Sequence, residues 1–434
     1  MELEMPYGSG VRKLKLPDPI ACHVLDYRRV PPLSDPSAAI RFALHEPIGT
    51  PPLREVVHSG ESVAIVVNDI TRLVRTEVFL PLILEELNAA GVPTRDIFAV
   101  FALGNHRRQA PEEQRRILGN DLYRRLRFSD HDCHDPNHLV RIGKTSRGNE
   151  VYVNRQVREA DRVILTGEIV YHRIAGYSGG RKSLFPGLAS AEFIRFNHSL
   201  IFDPACQSGV LEGNPAHEDL LEACRLFDPD FILNVVLNPG GELLHVVAGH
   251  YELAHRAGCE FVDHVYGLPI DRPYDLVISS SGGFPLDIDL RQAHKGMENA
   301  VRALRPRGFL VHFAECREGA GSRHLEEWAG HFSSSQEMEM ALRRTFLVGA
   351  HKAYWLARLG ERFRIGLCSS LRESLVRECH LEPVADPQAF LDEILAHLSR
   401  EAKIAYMPHA NFLLPVAAGE ERPAQTRPAL SGSI

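Results

Sequence analysis

Short apolar runs alternate with segments of helical periodicity along the first half of the chain. Residues 62–67 (SVAIVV) and 96–103 (DIFAVFAL) are nearly continuous apolar runs, which is typical of strands buried on both faces. Apolar residues recur at helical spacing over residues 78–87, and residues 112–126 form a second helical segment. A third strand is predicted over residues 161–166. This alternation predicts an α/β fold with mainly parallel sheets.

A second unit of the same kind begins near residue 271. Strands are predicted over residues 275–280 and after the Arg-Pro-Arg-Gly turn at 305–308, with a helix over 289–304 between them. The chain is therefore expected to form two α/β domains, with an active-site cleft between them. The predicted domains are residues 1–270 and 271–415, and residues 418–434, rich in Pro, Ser, Gly and Glu, are predicted to be a flexible tail.

Polar side chains follow three of the predicted strands. Asp69, Thr71 and Arg72 follow the first strand, His106 follows the second, and His172 follows the third. Because ligands of open parallel sheets bind at the carboxyl ends of strands, we expect these residues to meet in one crevice.

Composition excludes several classes of function. The net charge of −7 gives no reason to expect a nucleic acid or an anionic membrane surface as partner. No run approaches the roughly 18 apolar residues of a membrane span, and the first residues have no apolar signal-peptide core. The eight cysteines are scattered singly, without a CxxC pair. These features predict a cytoplasmic protein with reduced thiols.

The segment HRIAGYSGGRKSLFPG (residues 172–187) carries the strongest chemical signal. Its glycines allow backbone N–H groups to approach an anion closely. Arg181 and Lys182 lie where they could neutralise that anion, and His172 could transfer a proton or bind a metal beside it. Because a structural turn needs few of these features, the segment predicts a site for phosphate and proton chemistry.

Residues 131–138 (HDCHDPNH) offer a competing metal site. His131, His134 and His138 are potential zinc ligands, but no second ligand pair follows at finger spacing, and Asp-Pro favours a turn. A hydrogen-bonded loop is the favoured interpretation, and a zinc hydrolase remains an alternative. The GxSxG and GxGxxG motifs are absent, which argues against a serine-hydrolase elbow and a dinucleotide fingerprint.

Taken together, five segments resemble the nickel-dependent lactate racemase family of α-hydroxyacid racemases and epimerases. They are NDITR (68–72), LGNHR (103–107), HRIAGYSGGRKSLFPG (172–187), Asn197-His198 and SGGFPLDIDLRQAHKG (281–296). With the stretches between them, the resemblance spans roughly residues 10 to 415, and the glycine segment is its most specific part.

The resemblance implies an isomerase with a nickel-pincer nucleotide, which is a pyridinium-3-thioamide-5-thiocarboxylic acid mononucleotide that holds Ni(II). Such an enzyme interconverts the enantiomers of a small 2-hydroxy acid by reversible hydride transfer through a 2-keto acid. The first domain would bind the cofactor and the second would contribute substrate residues. Cofactor-biosynthesis proteins are the implied partners.

The resemblance also implies roles for single residues. Lys182 resembles the lysine that bonds covalently to the cofactor, and His198 resembles the protein ligand of nickel. His106 and His172 resemble the two acid/base histidines, which act on opposite faces of the reacting carbon. The implied cofactor contacts are Asp69, Thr71, Gly179, Gly180, Arg181 and Lys182. The implied contacts to the substrate carboxylate are Arg72, Gln292 and Lys295.

One departure from the family pattern bears on the substrate. The lactate enzymes have a tyrosine just before the glutamine, where this chain has Arg291. A dicarboxylate such as malate would give this arginine a partner, whereas the methyl group of lactate would not. Malate is therefore the predicted substrate. The alternative substrates are lactate or another short 2-hydroxy acid, and a sugar acid undergoing 2-epimerisation. Arg291 could instead point to solvent or to an acidic neighbour. A non-enzymatic alternative is a nucleotide-binding cofactor carrier.

Overall fold

A computed structural model describes residues 1–18, 20–72 and 74–417 of the chain, and the predicted tail at 418–434 lies outside the described residues. In chain order the strands are β1 (Glu2–Tyr7), β2 (Gly10–Lys15), β3 (Cys22–Val24), β4 (Val63–Val67), β5 (Ile97–Phe101), β6 (Arg127–Asp130), β7 (Leu139–Lys144), β8 (Glu150–Asn154), β9 (Arg162–Glu168), β10 (Tyr171–His172), β11 (Gly176–Tyr177), β12 (Phe231–Leu237), β13 (Leu243–Gly249), β14 (Gly267–Ile270), β15 (Tyr274–Ser280), β16 (Leu304–Phe313), β17 (Arg364–Cys368), β18 (Glu382–Pro383), β19 (Ile404–Met407) and β20 (Leu414–Ala417). The helices are α1 (Pro36–His45), α2 (Leu53–Val56), α3 (Thr76–Ala89), α4 (Pro111–Arg125), α5 (Arg155–Arg158), α6 (Arg181–Leu184), α7 (Ala191–Ser199), α8 (Pro215–Phe227), α9 (Leu253–Tyr266), α10 (Leu290–Ala300), α11 (Arg323–His331), α12 (Ser335–Arg344), α13 (Ala350–Arg362), α14 (Glu373–Glu378) and α15 (Pro387–His397).

The first domain is built on a six-stranded sheet in the order β13-β12-β9-β4-β5-β6. Its strands run parallel except for β13, which pairs antiparallel with β12. Every residue of β4 and β5 is buried, because helices cover both faces of the sheet. The neighbours β9, β4 and β5 are the three strands whose ends carry the predicted site residues.

The second domain contains another six-stranded sheet, in the order β18-β17-β16-β15-β19-β3, with all strands parallel. The prediction of two α/β domains with mainly parallel sheets is therefore confirmed. The helix predicted over 289–304 ends at Ala300 and continues as a short 3₁₀ turn. The turn predicted at 305–308 is part of β16, where an irregular register against β15 accommodates it.

The N-terminal segment joins the second sheet. Strand β3 pairs with β19, and the β1–β2 hairpin buries Leu3, Met5 and Leu14 against the core of β15 and β16. The division at residues 270 and 271 remains a prediction, but residues 2–24 pack with the unit that follows it. Each described helix is too short or too polar to cross a membrane.

Candidate active site

Three parallel strands deliver the predicted histidines and the lysine segment to one edge of the first sheet. Strand β4 ends just before Asp69, β5 just before the loop that carries His106, and β9 shortly before His172. Because these strands are neighbours and parallel, their carboxyl ends meet. His106 and His172 line a cavity of about 90 Å³ together with Arg72, Lys182 and His198, and these five residues come from four separate segments of the chain.

The glycine loop before α6 fits tightly against β12. Gly179 has φ of +125°, and a Cβ atom there would lie 2.5 Å from Cδ2 of His255. The N–H of Gly180 donates to Oδ1 of Asn234 at 3.1 Å, and a Cβ atom at Gly180 would lie 2.8 Å from the same amide group. The sequence therefore needs glycine here, because only glycine lets the backbone approach the strand this closely.

The tight loop brings Lys182 into the small cavity at the start of α6. Burial lowers the pKa of Lys182 well below its usual value, and the nearby Arg72 and Arg181 lower it further. The surroundings therefore favour the uncharged amine, which is the nucleophilic form of a lysine side chain.

Asp69 holds His106 in a defined orientation. Its carboxylate accepts a short hydrogen bond from Nδ1 of His106 and a 2.6 Å hydrogen bond from the hydroxyl of Thr71. Burial opposes the charge of Asp69, but His106 and Arg72 keep the pKa of this carboxyl below its usual value. Burial also lowers the pKa of His106, against the attraction of Asp69. The neutral His106 ring therefore carries its proton on Nδ1, which leaves Nε2 as an acceptor.

His172 has the opposite tautomer. Its Nδ1 accepts from the backbone N–H groups of Ile174 at 3.2 Å and Ala175 at 3.1 Å. Backbone N–H groups can only donate, so the neutral ring carries its proton on Nε2. Burial, followed by the charge of Lys182, lowers the pKa of His172 well below its usual value.

Helix α7 carries His198, which lines the small cavity. The hydroxyl of Ser190 caps this helix by accepting from the N–H of Phe193 at 3.2 Å. Burial and the neighbouring Lys182 lower the pKa of His198 to about 3, so its ring is neutral, as a metal ligand must be. Its Nδ1 is buried and finds no hydrogen-bond partner among the described residues.

The second domain supplies the facing wall of a larger cleft of about 760 Å³, which also reaches His106, His172 and His198. Asp289 caps α10 by accepting from the N–H of Gln292 at 2.7 Å. The capped helix presents Arg291, Gln292 and Lys295 to the cleft. Lys295 donates to Oε1 of Gln292 at 2.6 Å. Burial, followed by Arg72, lowers the pKa of Lys295 to about 7.

The cleft carries an excess of positive charge. Its acidic lining residues are Glu192, Asp289 and Glu318. Its arginine and lysine lining residues are Arg72, Arg107, Arg195, Arg291, Lys295 and Lys352. With six cationic side chains against three acidic ones, the cleft is suited to an anionic ligand.

Arg291 is only partly neutralised by its own helix. Its Nη2 lies 3.7 Å from Oδ2 of Asp289, which is too long for a hydrogen bond. Its Nε is buried and has no hydrogen-bond partner among residues 1–18, 20–72 and 74–417. The acidic neighbour considered from the sequence is therefore present, and one donor of Arg291 is still unused.

Comparison with known proteins gives a family for this arrangement. The family model described as the lactate racemase N-terminal domain matches residues 7–209, and the one described as the lactate racemase C-terminal domain matches residues 271–411. The lactate racemase of Thermoanaerobacterium thermosaccharolyticum is 30% identical over 418 residues, which cover 94% of this chain and 97% of that protein. The chain belongs to the lactate racemase family.

Further relatives agree with this assignment. The lactate racemase of Lactiplantibacillus plantarum is 30% identical over 377 residues, covering 85% of this chain and 88% of that protein. The structure of the lactate racemase apoprotein from T. thermosaccharolyticum superposes with a TM-score of 0.88 and 30% identity, covering 96% of this chain and 100% of that one. A Thermotoga maritima protein shares the fold, with a TM-score of 0.68 and 20% identity over 89% of this chain and 99% of that one. This family member is therefore an isomerase, a racemase of 2-hydroxy acids.

Four of the six predicted cofactor residues, Asp69, Thr71, Gly180 and Arg181, do not line the small cavity. Arg181 is buried behind the glycine loop, lines none of the cavities described above, and donates only weakly to the carbonyl of Tyr177 at 3.4 Å. Thr71 lines an adjoining cavity of about 400 Å³, which also reaches Arg72, His172 and Lys295. In this arrangement Arg181 does not reach the small cavity, so it is not placed to contact an anion there as predicted.

The competing zinc site does not assemble. His131 is buried, with Nε2 at 3.0 Å from the carbonyl of Ala189 and Nδ1 at 3.2 Å from the amide of Asn154. His134 is exposed. Within the described part of the chain, no group of three or more His, Cys, Asp or Glu side chains is placed to hold a metal ion. The favoured hydrogen-bonded loop is what the structure shows.

Sequence reasoning missed several residues of the site. Glu168, at the end of β9, lines the small cavity, and burial raises the pKa of its carboxyl to about 8. His351 and Lys352 on α13 line the larger cleft, and burial lowers the pKa of Lys352 to about 8. For His351 and Lys352, the only sequence signal was that two polar residues precede the apolar stretch AYWLA, and this pair lies in none of the motifs described above.

Proposed function

We propose that the protein racemises malate, a 2-hydroxy dicarboxylate, through a 2-keto acid and with a nickel-pincer nucleotide attached to Lys182. The observation that carries the substrate is Arg291, which lines a cleft with twice as many cationic as acidic side chains and whose buried Nε has no hydrogen-bond partner among the described residues. An unpaired buried donor is unfavourable, so the cleft favours a ligand that offers a second carboxylate.

The residues around the small cavity fit the cofactor that the family implies. A Lys182 amine whose pKa is lowered by burial suits a covalent thioamide link. A neutral His198 with a buried nitrogen lacking a hydrogen-bond partner suits one ligand position of square-planar Ni(II). The close-packed Gly179 and Gly180, with Asp69, would hold the nucleotide beside them. When bound, this cofactor supplies a carbon that accepts a hydride from the substrate and returns it.

The two histidines supply complementary proton chemistry. With its proton on Nδ1 toward Asp69, His106 presents Nε2 as a base for the substrate hydroxyl. With Nδ1 occupied by backbone N–H groups, His172 presents Nε2–H as an acid. In the reverse direction the roles exchange, as racemisation requires. We propose that Arg72 and Lys295 bind the C1 carboxylate, with Gln292 holding Lys295 in place.

The substrate proposal is tested by a chirality-resolved assay of malate and lactate. The protein is produced together with cofactor-biosynthesis proteins, so that it carries the nickel cofactor. Wild type should racemise malate faster than lactate, and Arg291→Tyr should shift the malate-to-lactate ratio of kcat/KM by on the order of 10²-fold toward lactate. Arg107→Gln, which removes another cation of the cleft, is the matched control. Faster lactate turnover by wild type, or an unchanged ratio in Arg291→Tyr, contradicts the malate assignment.

The cofactor proposal has a readout that does not depend on turnover. Wild type should contain about one nickel per chain and a mass adduct on the peptide that includes Lys182, and Lys182→Ala should lose both. Lys144→Ala, at an exposed lysine of β7, should keep both. Nickel and racemase activity retained in Lys182→Ala would rule out the attachment.

Lactate is the second candidate substrate. Two relatives that match 94% and 85% of this chain are lactate racemases. The same assay separates the candidates, since lactate lacks the second carboxylate that would engage Arg291.

A further inference from the structure

Helix α13 brings to the cleft two polar residues that the reaction above does not use, the buried His351 and the half-buried Lys352. His351 and Lys352 lie in its first turn and line the same cleft as His106 and His172. The rest of this stretch of the helix is apolar and packs into the core. Leaving a buried imidazole N–H without an acceptor, or withdrawing an ammonium group from water, is costly unless a ligand supplies the missing partner.

The hydrogen bonds of His351 define its free donor. Its Nδ1 accepts from the N–H of Gly349 at 3.2 Å, so the neutral ring carries its proton on Nε2. The residue is 2% exposed, and its Nε2 finds no hydrogen-bond partner among the described residues. The face of the ring stacks on Phe346 with centroids 5.5 Å apart, which fixes the direction of this N–H bond.

A hydrogen-bonded chain connects Arg291 to Lys352. Nδ1 of His294 donates to the carbonyl of Arg291 at 2.6 Å, and its Nε2 accepts from Nζ of Lys352 at 2.8 Å. These two hydrogen bonds connect α10 to α13 and so fix the position of Lys352 relative to Arg291. Two protons of the Lys352 ammonium group remain for a ligand.

The acidic side chains near Lys352 already interact with other residues. Oε1 of Glu298 lies 3.6 Å from Nε of Arg173, and its other oxygen lies 3.6 Å from Nε2 of His294. Burial raises the pKa of Glu298, which weakens it as a counter-charge for Lys352. Asp289 caps α10 and lies beside Arg291. With Arg173, Arg291 and Lys352 against Glu298 and Asp289, one positive charge is left over.

We infer that Arg291, His351 and Lys352 together form one subsite for the second carboxylate of a dicarboxylic 2-hydroxy acid. The inference rests on the proposed function and adds His351 and Lys352 as specificity-determining residues. A carboxylate has two oxygens with about four acceptor positions, which match the Nε–H of Arg291, the Nε2–H of His351 and the Lys352 ammonium group.

The test compares two ligands of equal chain length, succinate and butyrate, by calorimetric titration of the purified full chain. Wild type should bind succinate more tightly than butyrate. His351→Phe keeps the ring stacking and removes the donor, and Lys352→Met removes the ammonium group. Each should raise the Kd of succinate about ten- to hundredfold and leave the Kd of butyrate unchanged. Arg358→Gln, on the exposed side of α13, is the control and should change neither value.

Melting curves establish that each variant folds, and Lys352→Gln replaces Lys352→Met if the latter does not. An equal rise in both Kd values, or an unchanged Kd of succinate, overturns the subsite. So does a His351→Phe protein that loses nickel while keeping the wild-type preference for succinate, because His351 would then support His198 instead, its ring neighbour at 5.9 Å. The two proposals can fail separately. A protein that prefers succinate to butyrate but does not racemise malate would support the subsite and contradict the proposed function.

Discussion

At the scale of single residues, hydrogen-bond partners assign opposite roles to two chemically identical side chains. His106 turns Nδ1 to a carboxylate, whereas His172 turns Nδ1 to two backbone N–H groups. One ring therefore offers an acceptor and the other a donor, although burial lowers the pKa of both. Proton transfer in either direction depends on keeping these tautomers.

Asp69→Asn should lower kcat on the order of 10²-fold or more and change KM little, because an amide no longer holds the proton of His106 on Nδ1. Steady-state kinetics in both directions measure the effect. Asp121→Asn, which removes an exposed carboxylate of α4, is the control and should retain wild-type kinetics. A wild-type kcat in Asp69→Asn would show that the tautomer of His106 does not matter.

The pKa of about 7 for Lys295 predicts a pH dependence of substrate binding. Below this pH the ammonium form binds the carboxylate, and above it the charge is lost, so KM should rise between pH 7 and 9 by up to tenfold per unit. Lys295→Arg keeps its charge and should show a flatter profile. A KM for wild type that does not change over this range argues against an ammonium contact.

The same shift acts on stability with a defined sign. The unfolded chain keeps this lysine protonated up to about pH 10.5, its ordinary pKa. Between about pH 7 and 10 the folded state therefore binds fewer protons than the unfolded state. The contribution of Lys295 to the free energy of unfolding rises with pH across this window.

At the scale of elements, the site depends on how tightly one loop fits one strand. The glycine loop before α6 lies against β12 and α9, where Asn234 of β12 and His255 of α9 occupy the space that a side chain would need. The position of Lys182 follows directly from this contact.

Gly179→Ala should therefore destabilise the protein more than Gly60→Ala. Both positions have positive φ, +125° and +92°, but only the first is crowded, since nothing lies within 4 Å of a Cβ atom at Gly60. Overpacking adds about 1–3 kcal/mol to the backbone strain that both variants share. Urea unfolding gives the two free energies, and nickel content should fall only in Gly179→Ala. Equal losses in both variants would mean that the loop can move away from α9 and β12.

At the scale of the whole molecule, the cleft lies between two sheets, and the N-terminal segment stabilises the sheet that is distant in sequence. Residues 2–24 supply a hairpin and the edge strand β3 to the second sheet. The second wall of the cleft thus depends on residues from both ends of the chain.

Leu14→Ala should destabilise the second domain by about 2–5 kcal/mol, because Leu14 is 1% exposed and packs into the core of that sheet. Hydrogen exchange should speed up in β15 and β16 and stay unchanged in β4 and β5. Val11→Ala, in the same hairpin and 53% exposed, should change stability by less than about 0.5 kcal/mol. Faster exchange confined to β4 and β5 would contradict this coupling.

Local patterns in the sequence determined the elements and the centre of the site. Strands such as β4 and β5 follow from their continuous apolar runs, because a strand covered on both faces has no polar side to show. The meeting of His106 and His172 follows from parallel strands having their carboxyl ends at one edge. The glycine segment predicted close backbone contact, because few other functions need so many glycines together.

Tertiary structure alone decided which way side chains point and which distant segments meet. Arg181 and Lys182 are adjacent in sequence, yet one turns into the core and the other into the small cavity. The pairing of β3 with β19 joins the two ends of the chain, and no local pattern encodes such a partner. His351 and Lys352 lie on an otherwise apolar helix, and they become site residues only because α13 packs beside α10 at the cleft. Periodicity records which face of an element is buried, whereas the contacts between elements determine what that face meets.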